Sequence, residues 1–135
     1  YGDEDAGTVI VTYGRCFSFA CSAAAKLAEQ GVTVKILKLN RIKPIDVKAL
    51  DAISGARRIF FFEEGVRSAG VGEKFALLLL EAGCTIAYHL TAVEDCFVEQ
   101  ATVKDQLEKY RLDEAGIVST VLGSVCDEKK AEEKA

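Results

Sequence analysis

The chain has 135 residues, of which 50% are hydrophobic and 28% charged, with 11 Gly and a single Pro; that is one domain, able to bury about two thirds of its unfolded surface, and not a disordered or fibrous composition. Its net charge is -4, and 17 Lys and Arg are scattered among 21 Asp and Glu, which argues against nucleic acid as a partner. Apolar runs such as 75–80 are far shorter than the roughly 20 residues that cross a bilayer, so no membrane is expected and a cytoplasmic location is.

Residues 1–7 are small and acidic and read as a linker or frayed start. From Thr8 to Tyr13 the run TVIVTY is β-branched and almost continuously apolar, a buried strand that Gly14 breaks. Residues 17–30 are Ala-rich and predict a helix stopped by Gly31. The unit repeats: TVKILKL over 33–39 predicts a strand, 46–53 a short helix with Asp46 as N-cap, and RIFFF over 58–62 a third strand. A helix over 72–82 closed by Gly83, a strand over 85–90, and helices over 102–110 and 113–122 follow. The last ten residues, 126–135, form a charged tail with nothing to bury. The folded domain is therefore 8–125.

Strands joined through helices cannot be hairpins, and RIFFF needs cover on both faces. The pattern predicts an α/β fold: a three-layer α/β/α sandwich around a mostly parallel sheet, with room for one antiparallel edge strand. The chain opens on Tyr1 and holds no Met, from which a piece of a larger protein is expected.

In such a sheet the loops leaving the carboxyl ends of the strands share the ligand-binding edge. They carry Gly14 and Arg15, then Asn40, Arg41, Lys43 and Pro44, then Glu63 to Gly72, and last Thr91 to Asp95. Arg15, Arg41 and Lys43 in the first two loops, Arg67 in the third, and the Gly70-Val71-Gly72 start of a helix whose first N–H groups favour anions together make a candidate phosphate or carboxylate crevice. Solvated charges paired with Glu63 and Glu64 are the competing reading. Glu63 and Glu64 point in opposite directions on a strand, so one of the two is expected to face the crevice as an orienting group and neither is read as catalytic. Five cysteines without a C-x-x-C pair, and one His inside an apolar strand, support neither a zinc site nor a disulfide framework. His89 reads as a hydrogen-bonded core histidine, and Cys16 and Cys21 as packed thiols. Gly70-x-Gly72 lacks the third glycine of a dinucleotide fingerprint.

The phrases LKLNRIKPID (37–46), IFFFEEG (59–65) and SAGVGEKFA (68–76), in this order after the strand that ends at Gly14, resemble the C-terminal domain of the transketolase-like thiamine diphosphate enzymes. VEDCFVEQA (93–101) and YRLDEAGI (110–117) are similar to the closing segments of the 1-deoxy-D-xylulose-5-phosphate synthases within that group. The resemblance implies the last of three domains in a homodimeric transferase that decarboxylates pyruvate and passes the two-carbon unit to glyceraldehyde 3-phosphate in isoprenoid biosynthesis. It implies thiamine diphosphate and Mg2+ for the full-length enzyme and none in this fragment, which is expected to be inactive alone. Its partners would be the N-terminal thiamine-binding domains of the same enzyme. The substrate-phosphate loop it implies is Asn40, Arg41 and Lys43 with Gly70 and Gly72, and Glu63, Glu64 and Arg67 orient groups or form interface. Asn40 stands where the family usually has Arg, with Arg41 beside it. The C-terminal domain of a transketolase, the β subunit of a 2-oxo acid dehydrogenase, and a non-catalytic association module of the same fold are the alternatives.

Overall fold

The computed structural model describes residues 1–134, with side chains through residue 127. The strands are β1 (Thr8–Thr12), β2 (Lys35–Lys38), β3 (Arg58–Val66) and β4 (Ala87–Val93), and the helices are α1 (Cys16–Glu29), α2 (Lys48–Ala52), α3 (Val71–Glu81), α4 (Val103–Lys109) and α5 (Glu114–Lys134). They form one four-stranded sheet of order β2-β1-β3-β4, and β1–β2, β1–β3 and β3–β4 all pair in parallel. The α/β architecture expected from the sequence is the one observed. Among the described residues, antiparallel pairing at this sheet is confined to a bridge between Gly2 and Lys35. There the Asp3 N–H reaches the Val34 carbonyl at 3.1 Å and the Ile36 N–H the Tyr1 carbonyl at 2.7 Å, along the outer edge of β2.

Side chains alternate across a strand, and both faces of β1 and β3 are apolar, so the sheet demands two helical layers. Ile10, Phe60 and Phe62 face one layer, with Ala20, Ala23 and Leu27 of α1 and Leu107, Ile117 and Val121 of α4 and α5. Val9, Val11, Ile59 and Phe61 face the other, with Ala49 of α2 and Phe75 and Leu79 of α3. The three successive phenylalanines of β3 are each at most 1% exposed, and at about 25 cal/mol per Å2 they and their aliphatic neighbours supply the largest stabilising contribution to the fold.

Several boundaries differ from those expected, β2 and α2 being shorter than 33–39 and 46–53, and three of the differences bear on the fold. β3 runs four residues past Phe62, because a register shift between Phe62 and Val66 lets Glu63 turn inward before pairing resumes at Val66–Val93. β4 begins two residues later than expected and ends at Val93, so Thr91 and Ala92 belong to the strand and not to its exit loop. The last helix continues beyond residue 122 to Lys134: lysine and glutamate are good helix formers, and an apolar face is not needed to prolong a helix already anchored at Ile117 and Val121. The N-cap residue of α2 is Val47 and not Asp46 as expected; Asp46 stands one residue earlier, its Oδ1 accepting the Lys48 N–H at 3.0 Å.

Candidate functional site

With the order β2-β1-β3-β4, the connections from β1 and β3 leave toward opposite sides, so the crevice at the carboxyl ends opens between these two strands. Tyr13, Gly14 and Arg15 follow β1 there, and Glu63 and Glu64 sit in the irregular part of β3. Tyr13, Gly14, Arg15 and Glu64 line an open crevice of about 530 Å3.

Glu63 is 1% exposed, and a carboxylate at such a depth must be paired or hydrogen-bonded. Its Oε1 accepts the Gly72 N–H at 2.9 Å, and its Oε2 accepts the Val71 N–H at 3.0 Å and the Tyr13 hydroxyl at 2.9 Å. The carboxylate thus occupies the positive end of α3, two orphan amides and a phenol satisfying it together. Burial, and then the bond to Glu63, push the Tyr13 phenol far above the ordinary tyrosine value, so it remains a donor. On the far side Tyr88, its own phenol raised by burial, donates to the Gly72 carbonyl at 2.7 Å. Gly70 and Gly72 are glycine for the same packing. A Cβ on Gly70 would lie 2.6 Å from Glu63 Oε1 and from the Val66 carbonyl oxygen, and one on Gly72 would lie 2.3 Å from Leu90 Cδ1.

Glu64 points the other way, toward β1. It takes Arg15 in a two-pronged ion pair, Arg15 Nε to Oε1 at 3.1 Å and Nη2 to Oε2, and the bond to Arg15 holds its carboxyl below the usual range against a smaller opposing effect of burial. The Cys16 thiol lies 3.7 Å from Glu64 Oε1; burial first and then the Glu64 charge push it up to about 12, so it is a protonated, inert thiol near neutral pH. Arg67 reaches across to β4, with Nε at 2.9 Å from Glu94 Oε1 and Nη2 donating to the Leu90 carbonyl at 2.8 Å. Ser68 binds Asp95, and Glu73 Oε2 accepts the Ala69 N–H at 2.7 Å.

The sequence-derived residues therefore separate into two groups. Glu63, Gly70 and Gly72 share the buried clasp, with Glu64 and Arg15 beside it and Arg67 tied to the β4 exit. Asn40, Arg41 and Lys43 lie in the exposed β2–α2 loop at the sheet's edge, Arg41 within 3.5 Å of Asp46. The amides of Val71 and Gly72, open to an anion in the sequence reading, are taken by Glu63. Sequence reasoning missed Tyr13 and Tyr88; the available signal was a phenol within or ending each of two apolar strands, which needs a hydrogen-bond partner when buried. His89 stacks on Phe60 at 4.8 Å and lies 3.2 Å from Ser124 Oγ, as a packed strand histidine does.

At the start of α3 the residues present do not fit the diphosphate of thiamine diphosphate. The helix-start amides that would meet a diphosphate already hold an internal carboxylate, and among the described residues no group of three or more His, Cys, Asp or Glu could hold a metal ion. Among those residues no helix is long and apolar enough to cross a membrane, and all five cysteines are free thiols.

The family model described as transketolase, C-terminal domain, matches residues 3–117. Among curated relatives, a 1-deoxy-D-xylulose-5-phosphate synthase of Geobacillus sp. (strain WCH70) is 32% identical over 87% of this chain, and one of Shouchella clausii (strain KSM-K16) is 25% identical over 94%. The chain spans about a fifth of the length of these relatives, 19% and 20%. The solved structure of a split gene transketolase, an inactive beta4 tetramer, superimposes with a TM-score of 0.80 at 26% identity, over 90% of this chain and 40% of that one.

Proposed function

The chain belongs to the family of transketolase C-terminal domains, and from that premise we propose that it is the C-terminal domain of a 1-deoxy-D-xylulose-5-phosphate synthase-like transferase, inactive on its own. The supporting observation is that curated relatives carrying that name match it over most of the fold, one of them at 32% identity, while it amounts to 19% and 20% of the length of the two named above. In this reading thiamine diphosphate and Mg2+ are held by the preceding domains, which convert pyruvate and glyceraldehyde 3-phosphate to 1-deoxy-D-xylulose 5-phosphate and CO2. This domain contributes dimer surface and a wall of the acceptor site. The clasp of Glu63, Tyr13 and α3 fits a wall: it spends its polar groups on internal rigidity, so chemistry must come from elsewhere. The groups left to face a substrate phosphate are Arg41 and Lys43, exposed in the loop where Asn40 stands in place of the family's usual arginine.

Reconstitution tests this. The chain mixed with pyruvate, glyceraldehyde 3-phosphate, thiamine diphosphate and Mg2+ should show no turnover, and turnover should begin once the remaining domains of its parent enzyme are supplied; turnover by the chain alone overturns the proposal. The likeness to the split gene transketolase favours a second reading, the same domain in a transketolase. Sugar-phosphate donors such as xylulose 5-phosphate replacing pyruvate in the reconstituted enzyme would select it.

A further inference from the structure

Beside the open crevice lies a second, smaller space. It measures about 140 Å3, and Val93, Val98, Val103, Leu107 and Leu112 supply its apolar walls. Val98 and Val103 keep 44% and 50% of their surface exposed, so the space is open to solutes. An engineered apolar cavity of about 150 Å3 admits benzene, which sets the scale at one branched or aromatic side chain. Gln106 and Tyr110 complete the lining but are engaged elsewhere, Gln106 Nε2 donating to the Glu99 carbonyl at 3.1 Å and the Tyr110 hydroxyl lying 3.8 Å from Cys96 Sγ. The charged groups in the wall are Arg15 and Glu64, paired with each other, and the same two line the open crevice. The space thus adjoins the carboxyl edge of β1 and β3, where sheets of this kind place their ligands.

We propose that this cavity binds a free α-amino acid with an apolar side chain, leucine- or phenylalanine-sized, whose carboxylate goes to Arg15 and whose ammonium goes to Glu64. A charged head entering here meets both members of the Arg15–Glu64 pair. An anion alone would satisfy Arg15 and set like charge against Glu64; a cation alone would do the reverse, so either half-ligand meets one attraction and one repulsion at the pair. A zwitterion supplies both complements at once, while the apolar tail fills the valine and leucine walls. Such binding does not depend on the transferase role, since the cavity belongs wholly to this chain.

Methyl NMR of the 135-residue chain, following Val98, Val103 and Leu107, provides the test. L-Leucine or L-phenylalanine should shift these methyls saturably. 4-Methylpentanoate, isoamylamine and glycine, which lack in turn the ammonium, the carboxylate and the side chain, should each need at least about tenfold more to do so. Arg15→Gln and Glu64→Gln should each weaken leucine by about tenfold or more with melting temperature within a few degrees of wild type. No shift with either amino acid at up to about 10 mM overturns the proposal, as does an equal response to the acid or the amine alone. Should either variant fold poorly, the ligand series on the wild-type chain decides by itself.

Discussion

The Tyr13 hydroxyl and Glu63 Oε2 meet at 2.9 Å across the carboxyl ends of β1 and β3, and the same oxygen accepts the Val71 N–H at the start of α3. One carboxylate therefore ties two strands and a helix at the place where the sheet's connections diverge. Removing it leaves two amides and a phenol without their acceptor, and hydrogen bonds to a charged group are the strong kind. Glu63→Ala should cost about 3 to 5 kcal/mol in urea unfolding, and Tyr13→Phe, which keeps the ring against Phe61, about 1 to 2 kcal/mol. Glu63→Gln should fall between them, since one amide oxygen still accepts while its NH2 faces donors.

The neighbouring pair, Arg15 with Glu64, is more open, with side chains 51% and 35% exposed. Glu64 has a lowered carboxyl value in the fold, caused first by Arg15, so the sign is that of a carboxylate: its contribution is present above the unfolded glutamate value of about 4.3 and is lost as pH falls through the lower folded value. Solvent screening keeps the contribution near or below about 1 kcal/mol. The stability difference between the wild-type chain and Glu64→Gln, measured by urea unfolding, should be constant from about pH 8 to about pH 6. It should vanish in strongly acidic buffer and shrink at about 1 M salt.

The contrast between these two adjacent glutamates shows what was legible in the sequence and what was not. TVIVTY, RIFFF and the Ala-rich 17–30 segment carry their own periodicity and their glycine stops, so strands, helices and layers could be read locally. Glu63 could not. A glutamate after a run of phenylalanines looks like the strand's exit into solvent, whereas its partners lie 50 residues away at Tyr13 and eight and nine residues on in α3. Burial of that charge is a property of the assembled switch point, and the register shift that extends β3 to Val66 exists only with β4 in place. The anion-friendly helix start at Gly70-Val71-Gly72 was visible for the same local reason, and what it binds was not.

Two glycines of α5 should respond oppositely to alanine. A Cβ on Gly116 would fall 2.4 Å from the Arg111 Cα and 2.6 Å from its carbonyl oxygen, backbone atoms that cannot move aside, whereas one on Gly123 meets nothing within 4 Å. Gly116→Ala should destabilise by about 2 kcal/mol or more, through displacement of the turn that Arg111 makes at φ +57°. Gly123→Ala should stabilise by about 0.5 to 1 kcal/mol as an ordinary helix-interior gain. Paired thermal melts of the two variants check both signs, and a loss at Gly123 would mean that α5 is covered there in solution.

Thiol chemistry should sort the cysteines by burial. Cys96 and Cys126 are exposed, while Cys16 is buried and pushed up to about 12; a thiol in that state has almost no thiolate with which to attack. Iodoacetamide at about pH 8 should label Cys96 and Cys126 quickly in the native chain and reach Cys16 only after denaturation, as read by peptide mass mapping. Fast labelling of Cys16 in the native chain would show that the Arg15–Glu64 wall opens readily to solvent.

Phosphate should distinguish the two anion-friendly features at the carboxyl edge. Arg41 is held by Asp46 at 3.5 Å in an exposed ion pair, and such a pair gives way to a dianion at little cost. The amides of Val71 and Gly72 are closed off by Glu63 at 3.0 and 2.9 Å, and a second anion there would have to displace a buried carboxylate that is itself an anion. Inorganic phosphate followed by backbone NMR should therefore perturb the amides of Arg41 and Lys43 and leave those of Val71 and Gly72 in place. In Glu63→Gln the repulsion is removed without emptying the space, so a phosphate response at Val71 and Gly72 that appears only in this variant would identify the charge of Glu63, and not the packing of Gly70 and Gly72, as what keeps the helix start closed.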